Sequence, residues 1–166
     1  NAGLSNISLD LMLRIPGQTV ESFRTSLEKA VALEVSQISL YDLEIHAGTV
    51  FGRLDRDKKL DLPDEHVHAA MYELACHRLP DAGYQHYEIS NFAKLPSKLH
   101  PPNRLLPEEG FCSRHNLIYW RNGEYLGLGP GAFSYLGGVR RQFARDLERY
   151  LKKCKSEDWT HDVEDV

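Results

Sequence analysis

The stretch HNLIYW, from His115 to Trp120, places an imidazole, an amide, a phenol and an indole close together. If this stretch is helical, His115 and Tyr119 are neighbours at i and i+4, and Asn116 and Trp120 form the next such pair. Two flat rings then flank two hydrogen-bonding groups, which suits a planar amphipathic ligand. An imidazole can ligate haem iron, and tyrosine and tryptophan can stack on a macrocycle. A packed core segment with one histidine remains the alternative.

Asp10 is a single carboxylate inside the apolar stretch SLDLML. A buried carboxylate is costly unless it is paired or faces a ligand. The carboxyl ends of parallel barrel strands carry active sites, so if Asp10 contacts a ligand we expect it at such an end, with its side chain facing a barrel interior. A structural salt bridge or cap is the alternative to a ligand contact.

Three further polar residues, Asp42, Glu44 and His46, alternate with period two in YDLEIHAGT. Residues with that spacing point to one side of a strand, so they are expected to line a polar cavity near its carboxyl end. The alternative is that the outer ones are simply solvated. The glycine-rich segment GLGPGA matches neither the G-x-G-x-x-G nor the P-loop lysine pattern, so it is weak evidence for a phosphate site.

The first third of the chain is expected to form a βαβ unit that positions these residues. A brief, mostly buried strand is predicted over residues 6–13 and stops at a Pro-Gly pair. Thr19 can cap an amphipathic helix that continues to about Leu33. Residues 36–45 then have strand composition, and the intervening helix has the length that a parallel crossover requires.

Later segments predict a second helix, a third strand and a long loop. Asp64 opens a helix that ends near Gly83, and residues 84–90 form a candidate strand. Residues 93–110 carry four prolines without periodicity, which predicts an exposed, extended loop. The last helix is expected to present three apolar residues on one face: Leu147, Tyr150 and Leu151.

Composition limits the functional class. With 42% hydrophobic and 27% charged residues among 166, the chain has the makeup of a globular protein with one core. A formal charge of −4 argues against binding to nucleic acid through phosphate contacts. Three scattered cysteines without a C-x-x-C spacing indicate free thiols in a reducing compartment. No transmembrane or signal segment is visible, so we expect a cytoplasmic or organellar matrix protein.

Four segments, in chain order, resemble the oxygen-independent coproporphyrinogen III oxidase family of radical S-adenosylmethionine proteins, and more narrowly its haem chaperone branch. They are NISLDLMLRIPGQT, ISLYDLEIHAGT, MYELACHRLPDAGYQHYEISNFA and RHNLIYWRNGEYLGLGPGA. In that branch the H-N-x-x-Y-W motif is associated with haem binding. The resemblance implies that haem contacts His115, Asn116, Tyr119 and Trp120, with His115 the leading candidate to ligate the iron. The competing candidates are His46, His86, His100 and Cys112.

The resemblance also implies two cofactors for the full-length family, S-adenosylmethionine and a [4Fe-4S] cluster. Asp10 falls at the family position that contacts S-adenosylmethionine, and Glu44 lies near another contact position. The family's C-x-x-x-C-x-x-C cluster loop is missing, so the chain is expected to begin around the fifth strand of a partial barrel and to be inactive alone. Two positions depart from the family pattern: Arg14 replaces a glycine and Phe133 replaces a histidine.

The predicted fold class is therefore α/β, the C-terminal part of a partial (β/α)6 TIM-like radical S-adenosylmethionine barrel with an α+β extension. Residues 1–62 would form the last βαβ unit, residues 63–150 the extension with the motif, and residues 151–166 the start of a further region. The implied function is to bind haem and transfer it to acceptor proteins. The alternatives are a coproporphyrinogen III oxidase, which decarboxylates propionates oxidatively, and a degenerate binding module.

Overall fold

A computed structural model of the chain describes residues 3–95 and 110–156. The chain divides into two compact units, Asn1–Cys112 and Ser113–Val166. The first unit therefore contains the βαβ segment together with part of the region that was predicted to form the extension. Most of the predicted proline-rich loop, residues 96–109, lies outside the described residues.

The first unit contains four strands and three helices within its described part. They are β1 (Ser8–Leu13), α1 (Val20–Ala32), β2 (Gln37–Asp42), α2 (Val50–Arg56), α3 (Glu65–Asp81), β3 (Tyr84–His86) and β4 (Asn91–Lys94). The strands form one sheet in the order β1-β2-β4-β3. β1 and β2 are parallel, as the βαβ pattern predicts, whereas β4 is antiparallel to both β2 and β3.

Helices α1 and α3 begin where the sequence predicts, because capping side chains fix their first turns. Thr19 and Ser22 form a reciprocal capping box at α1, and the Asp64 carboxylate accepts a hydrogen bond from the Val67 N–H at α3. Both helices contact the sheet and each other, and their shared core contains side chains from the helices and from the strands. Its most buried members include Phe23, Leu27, Ile38, Met71, Leu79 and Phe92.

Three details of the first unit differ from the prediction. β1 is mostly exposed rather than mostly buried, because it lies at the end of the sheet order and only alternate residues, such as Leu13, face the core. The sequence did not predict α2. Thr49 caps this helix, but the helix buries no residue, so its sequence lacks the apolar periodicity that would indicate a helix. The candidate strand at residues 84–90 ends at His86, and the chain turns back to form β4 beside β2.

The second unit contains two helices and a hairpin in its described part: α4 (Arg114–Trp120), β5 (Phe133–Leu136), β6 (Val139–Gln142) and α5 (Leu147–Lys155). Gly137 and Gly138 connect β5 to β6 with φ of +58° and +76°. Two consecutive positive φ angles define the type I′ turn that glycine favours, and its twist matches that of paired strands. An isolated antiparallel bridge between Tyr125 and Tyr135 adds the preceding segment to this hairpin.

α5 forms as predicted, with an Asp146 cap and several basic residues in its last turn. Its apolar side is only partly covered: the Tyr150 ring contacts Phe143, whereas Leu147 is 56% exposed and Leu151 is 47% exposed. Within the described ranges, the helices are all too short or too polar to cross a membrane.

Candidate functional site

A cavity of about 540 Å³ lies in the second unit. Its walls come from α4, from the glycine-rich segment between α4 and β5, and from both strands of the hairpin. The side chains that line it include His115, Tyr119, Tyr125, Leu126, Phe133 and Arg140. This volume is within the range typical of small-molecule sites, and most of these side chains are apolar or aromatic.

The helix α4 brings His115 and Tyr119 to the cavity. Ser113 caps the helix, since its hydroxyl oxygen accepts a hydrogen bond from the Asn116 N–H at 3.3 Å. The His115 and Tyr119 rings meet edge to face, with centroids 4.9 Å apart and an interplanar angle of 88°. Leu117, on another face of the helix, is buried. The stretch is helical, and the i, i+4 ring contact that a helix would imply is present.

Tyrosine rings continue from α4 across the hairpin. Tyr119 and Tyr125 are in edge contact with centroids 4.5 Å apart, and the Tyr125 and Tyr135 centroids are 6.4 Å apart. A second cavity of about 340 Å³ shares Tyr119, Tyr125 and Arg140 with the first and adds Asn122 and Tyr135. The tyrosine pair and the arginine therefore contribute to both cavities.

Two buried polar side chains hold the glycine-rich wall in place. The Ser134 hydroxyl accepts a hydrogen bond from the Gly127 N–H at 2.9 Å, and the Gln142 amide donates to the Gly131 carbonyl at 3.0 Å. Ser134 is 1% exposed and Gln142 is 6% exposed, so both bonds are shielded from water. A Cβ atom at Gly127 would lie 2.1 Å from the Phe133 carbonyl oxygen, which explains why this position requires glycine.

Asn116 and Trp120, the other two defined residues of the H-N-x-x-Y-W motif, do not line either cavity. Asn116 is partly buried on α4, and Trp120 is 53% exposed at the end of that helix. Their predicted contacts with haem therefore stay predictions, and any contact from Trp120 would come from outside the cavity wall.

Asp10 does not lie at the carboxyl end of its strand. It is the third residue of β1, and the strand continues to Leu13 because alternate leucines enter the core while pairing with β2 extends to Asp42. The Asp10 side chain is exposed on the sheet face away from the helices, in register with the buried Ser39. The predicted position at a strand end is wrong, whereas its assignment to S-adenosylmethionine stays a prediction.

The predicted row of Asp42, Glu44 and His46 on one strand face is also wrong. β2 ends at Asp42, whose carboxylate contacts His68 Nε2 of α3 at 2.6 Å. Glu44 and His46 lie in the loop that follows, where their side chains are 3.7 Å apart and strongly exposed. β2 ends there because its parallel partner β1 ends at Leu13, where the chain turns with a positive φ of 63° at Arg14.

The competing haem ligands occupy other environments. His86 stacks on Phe92 with ring centroids 4.2 Å apart and its Nε2 bonds the Ile89 carbonyl, so its ring is already held in the first unit. His46 is next to Glu44, and Cys112 is partly buried with a pKa raised by that burial. His100 lies outside the described residues.

The three cysteines do not fit an iron–sulfur cluster. They belong to three different parts of the chain, α3, the loop before α4 and α5, and all are partly buried thiols. Burial raises the pKa of Cys76 as well as that of Cys112, which disfavours the thiolate that iron requires. The described part of the chain contains no cluster of three or more histidine, cysteine or carboxylate side chains that would hold a metal ion.

Sequence reasoning missed Tyr125, Tyr135 and Arg140 as site residues. They come from segments that reach α4 only through the hairpin, so no local spacing joins them to His115. One signal was present: a Gly-Gly turn predicts a two-residue hairpin, which places Tyr135 opposite Arg140 on one face.

The amino-acid sequence of the chain is similar to those of several known proteins. It is 40% identical over 156 residues to the heme chaperone HemW of Lactococcus lactis, which covers 94% of this chain and 38% of the relative. It is 38% identical over 149 residues to HemW of Bacillus subtilis, covering 90% and 36%. A zebrafish relative, the mitochondrial radical S-adenosyl methionine domain-containing protein 1 of Danio rerio, is 35% identical over 141 residues, covering 82% and 29%. No family model matches the chain.

The structure is similar to that of the coproporphyrinogen III oxidase HemN from Escherichia coli, which is described as a radical S-adenosylmethionine enzyme, with a TM-score of 0.66 at 19% identity. The match covers 93% of this chain and 35% of that protein, so the mixed α/β fold is a part of that fold. The chain spans somewhat more than a third of the length of the first two relatives. The chain therefore matches, in sequence, a part of the heme chaperone HemW proteins and, in fold, a part of the radical S-adenosylmethionine enzyme HemN.

Proposed function

We propose that this chain is the haem-binding part of a haem chaperone and that the first cavity is where haem binds. The observation that carries the proposal is that His115 and Tyr119 of the H-N-x-x-Y-W motif both line a cavity of about 540 Å³ with aromatic walls. Haem is the cargo of such a protein, so the site has to hold it and release it rather than transform it.

The side chains of the cavity have separate roles in this proposal. His115 would approach the iron, because a neutral imidazole is a common axial ligand. Tyr119 and Phe133 would contact the macrocycle, since aromatic rings favour offset or edge contacts with other π systems. Trp120 and Asn116 would act from beside the cavity, Trp120 covering an edge of the macrocycle and Asn116 orienting the histidine or a propionate.

The names of the relatives support the same role. Two bacterial relatives are named heme chaperones and span most of this chain at 38–40% identity. We extend that role to this chain, with haem-acceptor proteins as its partners. We also propose a cytoplasmic location, or an organellar matrix in a eukaryote, in line with the bacterial and mitochondrial relatives.

In a longer protein of this family, we propose that Asp10 contacts S-adenosylmethionine and that Glu44 lies near the same cofactor. Asp10 faces the side of the sheet that α1 and α3 leave open, and a carboxylate there can accept hydrogen bonds from ribose hydroxyls or pair with an ammonium group. The cysteines of this chain do not fit the [4Fe-4S] cluster, so cluster ligands would come from outside it. We further propose that residues 1–62 form the barrel-derived part, residues 63–150 the extension and residues 151–166 the start of a further region.

A haemin titration tests the proposed function. The wild-type chain should bind one haemin with a defined Soret shift and a clear end point, and Phe133→His should alter that spectrum because it adds an imidazole to the cavity wall. Met71→Ala is the control, since it removes a fully buried side chain of the first unit and should lower stability by about 2–5 kcal/mol while leaving the end point unchanged. Binding without saturation, or a spectrum unchanged by Phe133→His, would contradict a specific site.

A further inference from the structure

Arg140 is a cationic residue that lines both cavities. It lies on β6, directly opposite Tyr135 of β5 in the antiparallel register. Residues opposite each other in a hairpin project to the same face, so Arg140 shares its face with Tyr135 and, two residues along β5, with Phe133. It lines both cavities together with Tyr119 and Tyr125.

The charge of Arg140 is not balanced by the site. Among the residues that line the two cavities there is no carboxylate, and no other arginine or lysine. No carboxylate within residues 3–95 or 110–156 forms an ion pair with Arg140. Glu124, an acid of the same unit, instead accepts a hydrogen bond from the Gly137 N–H in the hairpin turn.

The two cavities also differ in the groups that they offer. The first combines aliphatic and aromatic side chains, including Leu126, Ala132 and Phe133, with His115. The second is lined by three tyrosines and Asn122, whose hydroxyl and amide groups can donate hydrogen bonds. An apolar space therefore adjoins a space with hydrogen-bond donors, and Arg140 lies at both.

From this arrangement we propose that Arg140 binds a carboxylate of the tetrapyrrole, with the macrocycle in the first cavity and the acidic edge directed to the second. This inference rests on the proposed haem-binding function and makes it more specific: the site selects tetrapyrroles that carry free propionates. A guanidinium suits this role because its planar donors match a carboxylate in two parallel hydrogen bonds. The pairing also fixes which edge of the macrocycle enters, and hence where the iron lies relative to His115.

The test compares haemin with haemin dimethyl ester, in which both carboxylates are blocked. The wild-type chain should bind haemin more tightly than the ester by about tenfold or more, as expected for charge-assisted hydrogen bonds. Arg140→Met should remove most of this difference by weakening haemin binding while leaving ester binding nearly unchanged. Arg140→Lys keeps the charge without the planar donors and should retain part of the difference.

Arg141→Met is the matched control. Arg141 is the next residue on β6, pairs in register with Ser134 and lines neither cavity, so its loss should leave the preference for haemin intact. Equal affinities of the wild-type chain for haemin and the ester, or an equal effect of the two methionine variants, would overturn the role of Arg140 while a saturable haem site could remain. If neither compound binds saturably, the proposed function fails together with this inference.

Discussion

The rings of Tyr119 and Tyr125 meet edge to face with their centroids 4.5 Å apart, and this pair contributes to the walls of both cavities. One residue comes from α4 and the other from the segment that joins the hairpin, so the contact holds these elements together. Aromatic pairs of this geometry contribute about 0.5–1.5 kcal/mol beyond the burial of their surface.

Replacing Tyr119 with leucine should therefore weaken haemin binding by about threefold to tenfold, because the ring contact and the wall between the cavities are lost. The measurement is the dissociation constant from a Soret titration. Tyr150→Leu is the control: its ring contacts Phe143 in the same edge geometry, with centroids 5.7 Å apart, but lines neither cavity. Equal losses in the two variants would mean that Tyr119 acts only through general stability.

Gly127→Ala should destabilise the second unit and weaken haemin binding. The added Cβ would lie 2.1 Å from the Phe133 carbonyl oxygen, so the backbone of the cavity wall has to move. Overpacking of this kind costs about 1–3 kcal/mol, which urea denaturation can measure. At Gly48 a Cβ meets no atom within 4 Å, so Gly48→Ala should leave haemin binding unchanged. A Gly127→Ala chain with wild-type stability and affinity would show that the wall is not rigid.

Much of the first unit could be predicted because its signals are local. The Thr19 cap and the repeat of Phe23, Leu27 and Ala30 define α1, and the crossover length predicts a parallel β1–β2 pair. The antiparallel β4 could not be predicted in the same way. Its position between β2 and β3 depends on a turn after His86 and on burial of Phe92, which are set by tertiary packing.

The backbone conformation at Arg14 shows what the arginine costs at a position where the family pattern has glycine. Its φ is +63°, in the left-handed region, where a side chain is strained and glycine is favoured. The family's glycine therefore matches the backbone of this turn, and arginine does not. Arg14→Gly should raise the free energy of unfolding by about 0.5–1 kcal/mol, after allowance for the entropy of glycine in the unfolded chain.

Arg14→Ala separates this effect from the loss of the arginine side chain. Alanine has the same strain at positive φ, so its unfolding free energy should remain within about 0.5 kcal/mol of wild type. Both values can be taken from urea denaturation followed by circular dichroism. A glycine variant no more stable than the alanine variant would mean that the turn is not strained.

The ion pair between Glu28 of α1 and Arg78 of α3 should make stability depend on pH. Two hydrogen bonds of 2.7 and 2.9 Å join them, and the bond from Arg78 lowers the pKa of Glu28 below its ordinary 4.5. A carboxyl group with a lowered pKa in the folded state stabilises the fold above the unfolded pKa, and this contribution is lost as pH falls through the folded pKa. Both side chains are partly exposed, 46% for Glu28 and 32% for Arg78, so solvent screening keeps the contribution modest.

Glu28→Gln should therefore be less stable than wild type at neutral pH, and the difference should shrink as the pH is lowered well below 4.5. Thermal melts from pH 7 to pH 3 measure it. Glu21→Gln is the control, since Glu21 forms an ion pair with Arg24 of the same helix at 3.3 Å and is 81% exposed. A constant difference across the pH range would show that the pair does not control it.

The candidate site was predictable only where its residues are neighbours along one helix. His115 and Tyr119 share a face at i and i+4, and that spacing can be seen in the sequence. Arg140 could not be assigned in this way, because its place in the cavity depends on the turn at Gly137 and Gly138. The position of Asp10 could not be predicted either, because it depended on how far β1 stayed paired with β2.

The most direct test of the account is the contribution of His115 to haem ligation. Haemin is titrated under reducing conditions into the wild-type chain, His115→Ala and His77→Ala, and the Soret band is followed; His77 is an exposed histidine of α3 that serves as the matched control. His115→Ala should lose the ligand-dependent Soret shift and at least about tenfold in affinity, since even outer-shell partners of a metal ligand contribute that much. His77→Ala should match wild type. A full Soret shift and unchanged affinity in His115→Ala would contradict the proposal that this histidine ligates the iron in the cavity.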